Sequence, residues 1–68
     1  MRTATIEQLF FEGGTITKTS LGVAIISKGG KRAKITEEQS NYLQNKYNNR
    51  LQTNIETGII TYKLKLIP

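Results

Sequence analysis

Val23-Ala24-Ile25-Ile26-Ser27-Lys28-Gly29-Gly30-Lys31-Arg32-Ala33-Lys34-Ile35 decides the fold of this 68-residue chain. The Gly29-Gly30 pair supplies the positive φ angles that a two-residue hairpin turn requires. With the turn there, Lys28 opposes Lys31, Ile26 opposes Ala33, and Ala24 opposes Ile35. The apolar partners of that register share one face, so a slip by one residue would turn all of them into water. Val23–Ser27 is apolar on both faces and predicts a central strand buried on both sides.

Reading outward, Thr15–Thr19 is rich in β-branched residues and Ser20-Leu21-Gly22 is a turn signal. Residues 15–35 therefore read as a three-stranded antiparallel meander. Upstream, Thr5 and Gln8 have capping-box spacing, and Ile6, Leu9 and Phe10 fall on one helical face. Gly13-Gly14 ends that short helix. Downstream, Thr36-Glu37-Glu38-Gln39 is a second capping box, with acids in the first turn where the helix dipole favours them. Leu43, Tyr47 and Leu51 form a narrow stripe with Tyr42 at its margin, so this helix covers a sheet on one side and is wet on the other. Asn48-Asn49 closes it.

The remaining segment reads as another hairpin. Ile60, Tyr62, Leu64 and Leu66 alternate with Thr61, Lys63 and Lys65. A loop at Thr57-Gly58 sets Ile55 against Ile60, Thr53 against Tyr62 and Leu51 against Leu64. A threonine resists positive φ, so a loop two residues longer in the same register is the alternative. The expected order is α-β-β-β-α-β-β, a single α+β domain over residues 1–68 with mostly antiparallel pairing and one main helix packed on the sheet.

Composition removes many functions. The chain has no Cys, His or Asp, so disulfide scaffolds, zinc fingers and Ser-His-Asp or Cys-His enzymes are excluded. The Gly pair is not followed by Gly-Lys-Ser/Thr, so it is no Walker loop. Glu7 and Glu12 lie on a different helix from Glu37 and Glu38, and no residue pair has the logic of an active site. We expect no enzyme activity, no cofactor and no metal. No apolar run is long enough for a membrane span or a secretory signal, which predicts a cytoplasmic protein with no membrane partner.

Charge gives the one functional signal. Ten basic residues against five acidic ones leave +5, and the excess is concentrated. Residues 28–34 hold Lys28, Lys31, Arg32 and Lys34 with no acid, and the C-terminal strand adds Lys63 and Lys65. Lys28 and Lys31 repel one another across the hairpin tip, which favours an anionic partner. Lys28, Lys31, Arg32 and Lys34 can each meet a phosphate, while Gly29 and Gly30 let the backbone approach closely. A solvated hairpin whose lysines protect a sheet edge is the competing explanation. Lys63 and Lys65 read first as edge protection of a terminal strand and second as an extension of the basic surface. Of the three tyrosines, Tyr47 and Tyr62 fall on core faces, leaving Tyr42 for any base stacking.

The α-β-β-β-α order of residues 5–48 is similar to that of double-stranded-RNA-binding domains. In this chain the first helix is shorter, and the cations lie on a hairpin instead of at the start of the last helix. The order of residues 15–48 is similar to that of the arm-binding domains of some tyrosine integrases. Element order alone assigns neither family. The expected function is a small module that contacts a nucleic acid backbone through the 28–34 hairpin, suited to an accessory protein of a phage or mobile element. The alternative is an inhibitor or regulator that sets a strand edge or the basic hairpin against an acidic protein surface. A homodimer paired through the strand Ile59–Ile67 is expected, because a domain this small has few other ways to offset chain entropy.

Overall fold

The computed structural model describes residues 1–65. Its elements are α1 (Thr3–Phe11), β1 (Thr15–Thr19), β2 (Ala24–Lys28), β3 (Lys31–Ile35), α2 (Glu37–Lys46), a 3-10 turn (Asn48–Arg50), β4 (Leu51–Glu56) and β5 (Ile59–Leu64). The α+β order matches the expectation. Five strands form one antiparallel sheet in the order β3-β2-β1-β5-β4. Both hairpins have the expected register, with Ile26 opposite Ala33 and Thr53 opposite Tyr62. Gly29 and Gly30 both adopt positive φ. Thr57 does not, so the second loop is two residues long and only Gly58 takes the left-handed conformation.

Helix α1 begins earlier than the sequence suggested. Arg2 occupies the N-cap without a side-chain bond, and the Thr5 and Ile6 amides donate to its carbonyl. Thr5 is therefore not a cap, and Gln8 reaches forward to Glu12. The helix ends in a Schellman motif: the Gly14 amide donates to Leu9 O at 2.8 Å and the Gly13 amide to Phe10 O. Gly14 is needed for proximity, since a Cβ there would stand 2.7 Å from Leu9 O. In α2 both halves of the Thr36–Gln39 capping box form.

Both helices cover the same face of the sheet. Ile6 and Phe10 of α1, Leu43 of α2 and Tyr47 just beyond it meet Ile16, Ala24, Ile26, Ile35 and Tyr62 in one core. Phe10 packs its ring 5.9 Å from Tyr47 and 6.1 Å from Tyr62, spacings that favour tilted and edge-on aromatic contacts. Among the described residues, the opposite face of the sheet carries no helix. β2 is therefore buried on one side only, and Ile25 is half-buried on the open side, which corrects the expectation of a doubly buried strand.

The chain-terminal strand is also not an edge. β5 pairs with β1 on one side and β4 on the other. This overturns edge protection as the role of Lys63, and it removes the free edge through which Ile59–Ile67 was to dimerise. Leu66 and Ile67 lie outside the described residues. The free edges belong to β3 and β4.

Candidate nucleic-acid interface

The pleat sorts the cations of the hairpin between two faces. Lys28 and Lys31 share the helix face with Ile26 and Ala33, while Arg32 and Lys34 alternate onto the open face. Lys28 is not free, because its ammonium donates to the Glu12 carboxylate at the end of α1. The acid that meets it comes from outside the 28–34 segment. That contact holds the Glu12 carboxyl below its ordinary value, chiefly through the hydrogen bond from Lys28 and then that from Gln8. Both side chains are well exposed, at 38% and 42%, so the pair is worth little to stability. Lys31, Arg32 and Lys34 are exposed and make no ion pair among the described residues.

The open face is built from alternate residues of all five strands. One row runs Lys34, Ile25, Thr17, Thr61 and Asn54, each paired with the next across the sheet. Beside it, Arg32 opposes Ser27, Ser27 opposes Thr15, and Lys63 opposes Gln52. A shallow depression of about 260 Å³ lies among Thr15, Gln52, Asn54, Thr61 and Lys63. The face thus presents hydroxyls and amides between a cationic edge and Lys63. β3 and β5 are three strand spacings apart, roughly 14 Å. Lys65 follows just beyond β5, exposed, with its amide bonded to Arg50 O at 2.7 Å.

Acids are distributed oppositely. Glu7 and Glu12 belong to α1 and its cap, and Glu37 and Glu38 to the first turn of α2. Only Glu56, at the far corner on β4, alternates onto the open face. In the helix layer Lys46 donates to Glu7 at 2.7 Å, and Lys18, from the sheet's helix face, donates to the uncharged Asn41 amide oxygen at 2.6 Å. On the open face, Arg32, Lys34 and Lys63 make no ion pair among the described residues.

The tyrosines divide as expected. Tyr47 and Tyr62 are buried, and Tyr42 is exposed on α2. Tyr42 therefore lies on the helix layer, away from the open face. What the sequence could not show was the Thr-rich open face, because that requires the strand order. Among the described residues no group of carboxylates has the arrangement of a metal site, and no helix is long and apolar enough to cross a membrane. Comparisons with protein-family models, with curated proteins and with solved structures return no match for this chain.

Proposed function

We propose that this protein is a nucleic-acid-binding module whose open sheet face, edged by the Gly29-Gly30 hairpin, lies along a phosphate backbone. The observation that carries the reading is the segregation of charge. Arg32, Lys34 and Lys63 stand on one face with a single acid at its corner, while the remaining described acids belong to the helix layer. Cations about 14 Å apart suit a polyanion, since one small anion cannot touch both ends. Threonine hydroxyls and the Gln52 and Asn54 amides add uncharged donors for phosphate and sugar oxygens. Lys31 adds a contact at the hairpin tip, with Gly29 and Gly30 allowing close approach. Lys28 is an auxiliary, held by Glu12 until a stronger anion displaces it. Lys65 continues the basic surface beyond β5. A cytoplasmic setting suits this partner, and a role in a phage or mobile element suits the size. The module acts as a homodimer joined through its β4 edge, which would present two such faces.

Gel shifts and fluorescence anisotropy with single- and double-stranded DNA and RNA test the reading. Wild-type protein should bind at low salt, with a log–log salt slope of about −3 on a duplex for three to four phosphate contacts. Reversing the open-face pair, Arg32→Glu with Lys34→Glu, should abolish binding and leave the fold intact. Reversing Lys28 and Lys31 on the other face should weaken binding without abolishing it. Equal loss from both pairs would move the interface to the hairpin tip. Unchanged affinity in the Arg32/Lys34 variant would refute it.

A further inference from the structure

The β3 edge carries more than cations. The Thr19 amide donates to Val23 O at 2.9 Å, which sets the hydrogen-bond alternation through the sheet. Ile25 and Ser27 spend their backbone groups on β1, so Ala24, Ile26 and Lys28 spend theirs on β3. Their partners Ile35, Ala33 and Lys31 are thereby satisfied inward. The N–H and C=O groups of Arg32 and Lys34 point out along the free edge.

A groove of about 520 Å³ opens beside that edge on the helix face. Leu9, Ile26, Ala33 and Met1 line it with apolar atoms, and Lys28, Lys31 and Arg32 complete the lining. Its size is that of a ligand pocket, and its lining suits an apolar side chain beside positive charge. The edge and the groove together define one occupant. A strand added to β3 would place the residues opposite Arg32 and Lys34 on the open face, beside those two cations. The residue between them, opposite Ala33, would face the groove.

We infer that β3 accepts an extended peptide of alternating acidic and apolar residues as a sixth strand. Acidic side chains meet Arg32 and Lys34 across the new pair, and an apolar side chain fills the groove beside Ala33. A second copy of β3 is the wrong occupant, because two-fold pairing would set Arg32 and Lys34 against the same cations. The site goes beyond nucleic-acid binding but shares Arg32 and Lys34 with it, so peptide and nucleic acid exclude one another.

The probe is a capped heptapeptide alternating glutamate with leucine, followed by anisotropy and by amide hydrogen exchange. Saturable binding to the wild-type protein should slow exchange at the Arg32 and Lys34 amides. Lys34→Gln should cost a few-fold in affinity. Lys34→Pro also removes the outward N–H while sparing the ladder to β2, and should cost at least about tenfold more. The same peptide N-methylated at its glutamates, tested on unaltered protein, should lose at least about tenfold. Replacing its leucines by serine should weaken it comparably. Absence of saturable binding, or full binding of the N-methylated peptide, would overturn strand addition. So would protection confined to Lys28 and Lys31.

Discussion

Tyr62 shows how a single side chain ties the two layers. It is 1% exposed, and its hydroxyl donates to the Ser40 carbonyl at 2.9 Å while contacting the Ser40 hydroxyl. Burial raises the Tyr62 pKa and keeps the phenol neutral. Ser40 is itself fully buried on α2, so its hydroxyl donates to the Tyr62 oxygen in a dry place. Tyr62→Phe should destabilise the fold by about 1–2 kcal/mol, because it strands the Ser40 hydroxyl. Ser40→Ala combined with Tyr62→Phe should cost less than the two single changes added, since neither polar group is then left alone. Urea denaturation of the four proteins measures this, and strict additivity would show that the contact has no energetic weight. Tyr62 was legible as a core residue from its period-two strand. Ser40 was not, although Ser40, Leu43 and Tyr47 fall on one helical stripe. A hydroxyl at the head of that stripe reads as solvent-facing until its partner is known.

At the scale of elements, α1 is fastened to α2 by Glu7. Its carboxylate accepts from the Lys46 ammonium at 2.7 Å and from the Tyr47 hydroxyl, and its side chain is only 18% exposed. These bonds, that from Lys46 first, hold the Glu7 carboxyl below its ordinary value of 4.5. The same contact raises Lys46, and burial followed by the Glu7 bond raises Tyr47 above 10.0. A carboxyl depressed on folding contributes stability that is complete above about pH 4.5 and is lost as pH falls through its folded value. A phenol raised on folding contributes stability that is complete below about pH 10 and is lost as pH rises through its folded value. Melting temperature should therefore be flat from about pH 6 to 9 and fall on both sides. Glu7→Gln should make the acid limb shallower, with Glu12 supplying what remains. An acid limb identical to wild type would remove Glu7 from this role. Elements whose signals are local were readable: the Thr36–Gln39 box and the Gly29-Gly30 turn need no partner, and the register of the second hairpin was legible although its loop length had two readings. The start of α1 was not, because Gln39 of α2 bonds Met1 O at 2.9 Å and steadies a first turn that has no cap of its own.

For the whole molecule, the two hairpins were each written in their turns, but their docking was not. The insertion of β5 beside β1 depends on how Ile60 and Tyr62 pack under helices distant in sequence, and periodicity carries no such information. That docking decides which edges are free, and so where a dimer can form. β3 is closed to self-pairing by Arg32 and Lys34, whereas β4 bears one charge, Glu56, at its end. The alternation that bonds Gln52, Asn54 and Glu56 to β5 leaves Thr53 and Ile55 with backbone groups outward, and Ile55 is 72% exposed. Two-fold pairing of β4 would cover Ile55, satisfy that edge and continue the open face across ten strands, with a cationic β3 at either end. A domain this small gains proportionately from such burial, since its own core is limited. Light scattering should show a mass rising with concentration from 7.6 kDa toward twice that value. Thr53→Lys places a charge at the middle of the pairing edge and should hold the protein monomeric without unfolding it. A constant 7.6 kDa at all concentrations, with cooperative unfolding, would leave β4 as an edge guarded by its shortness alone.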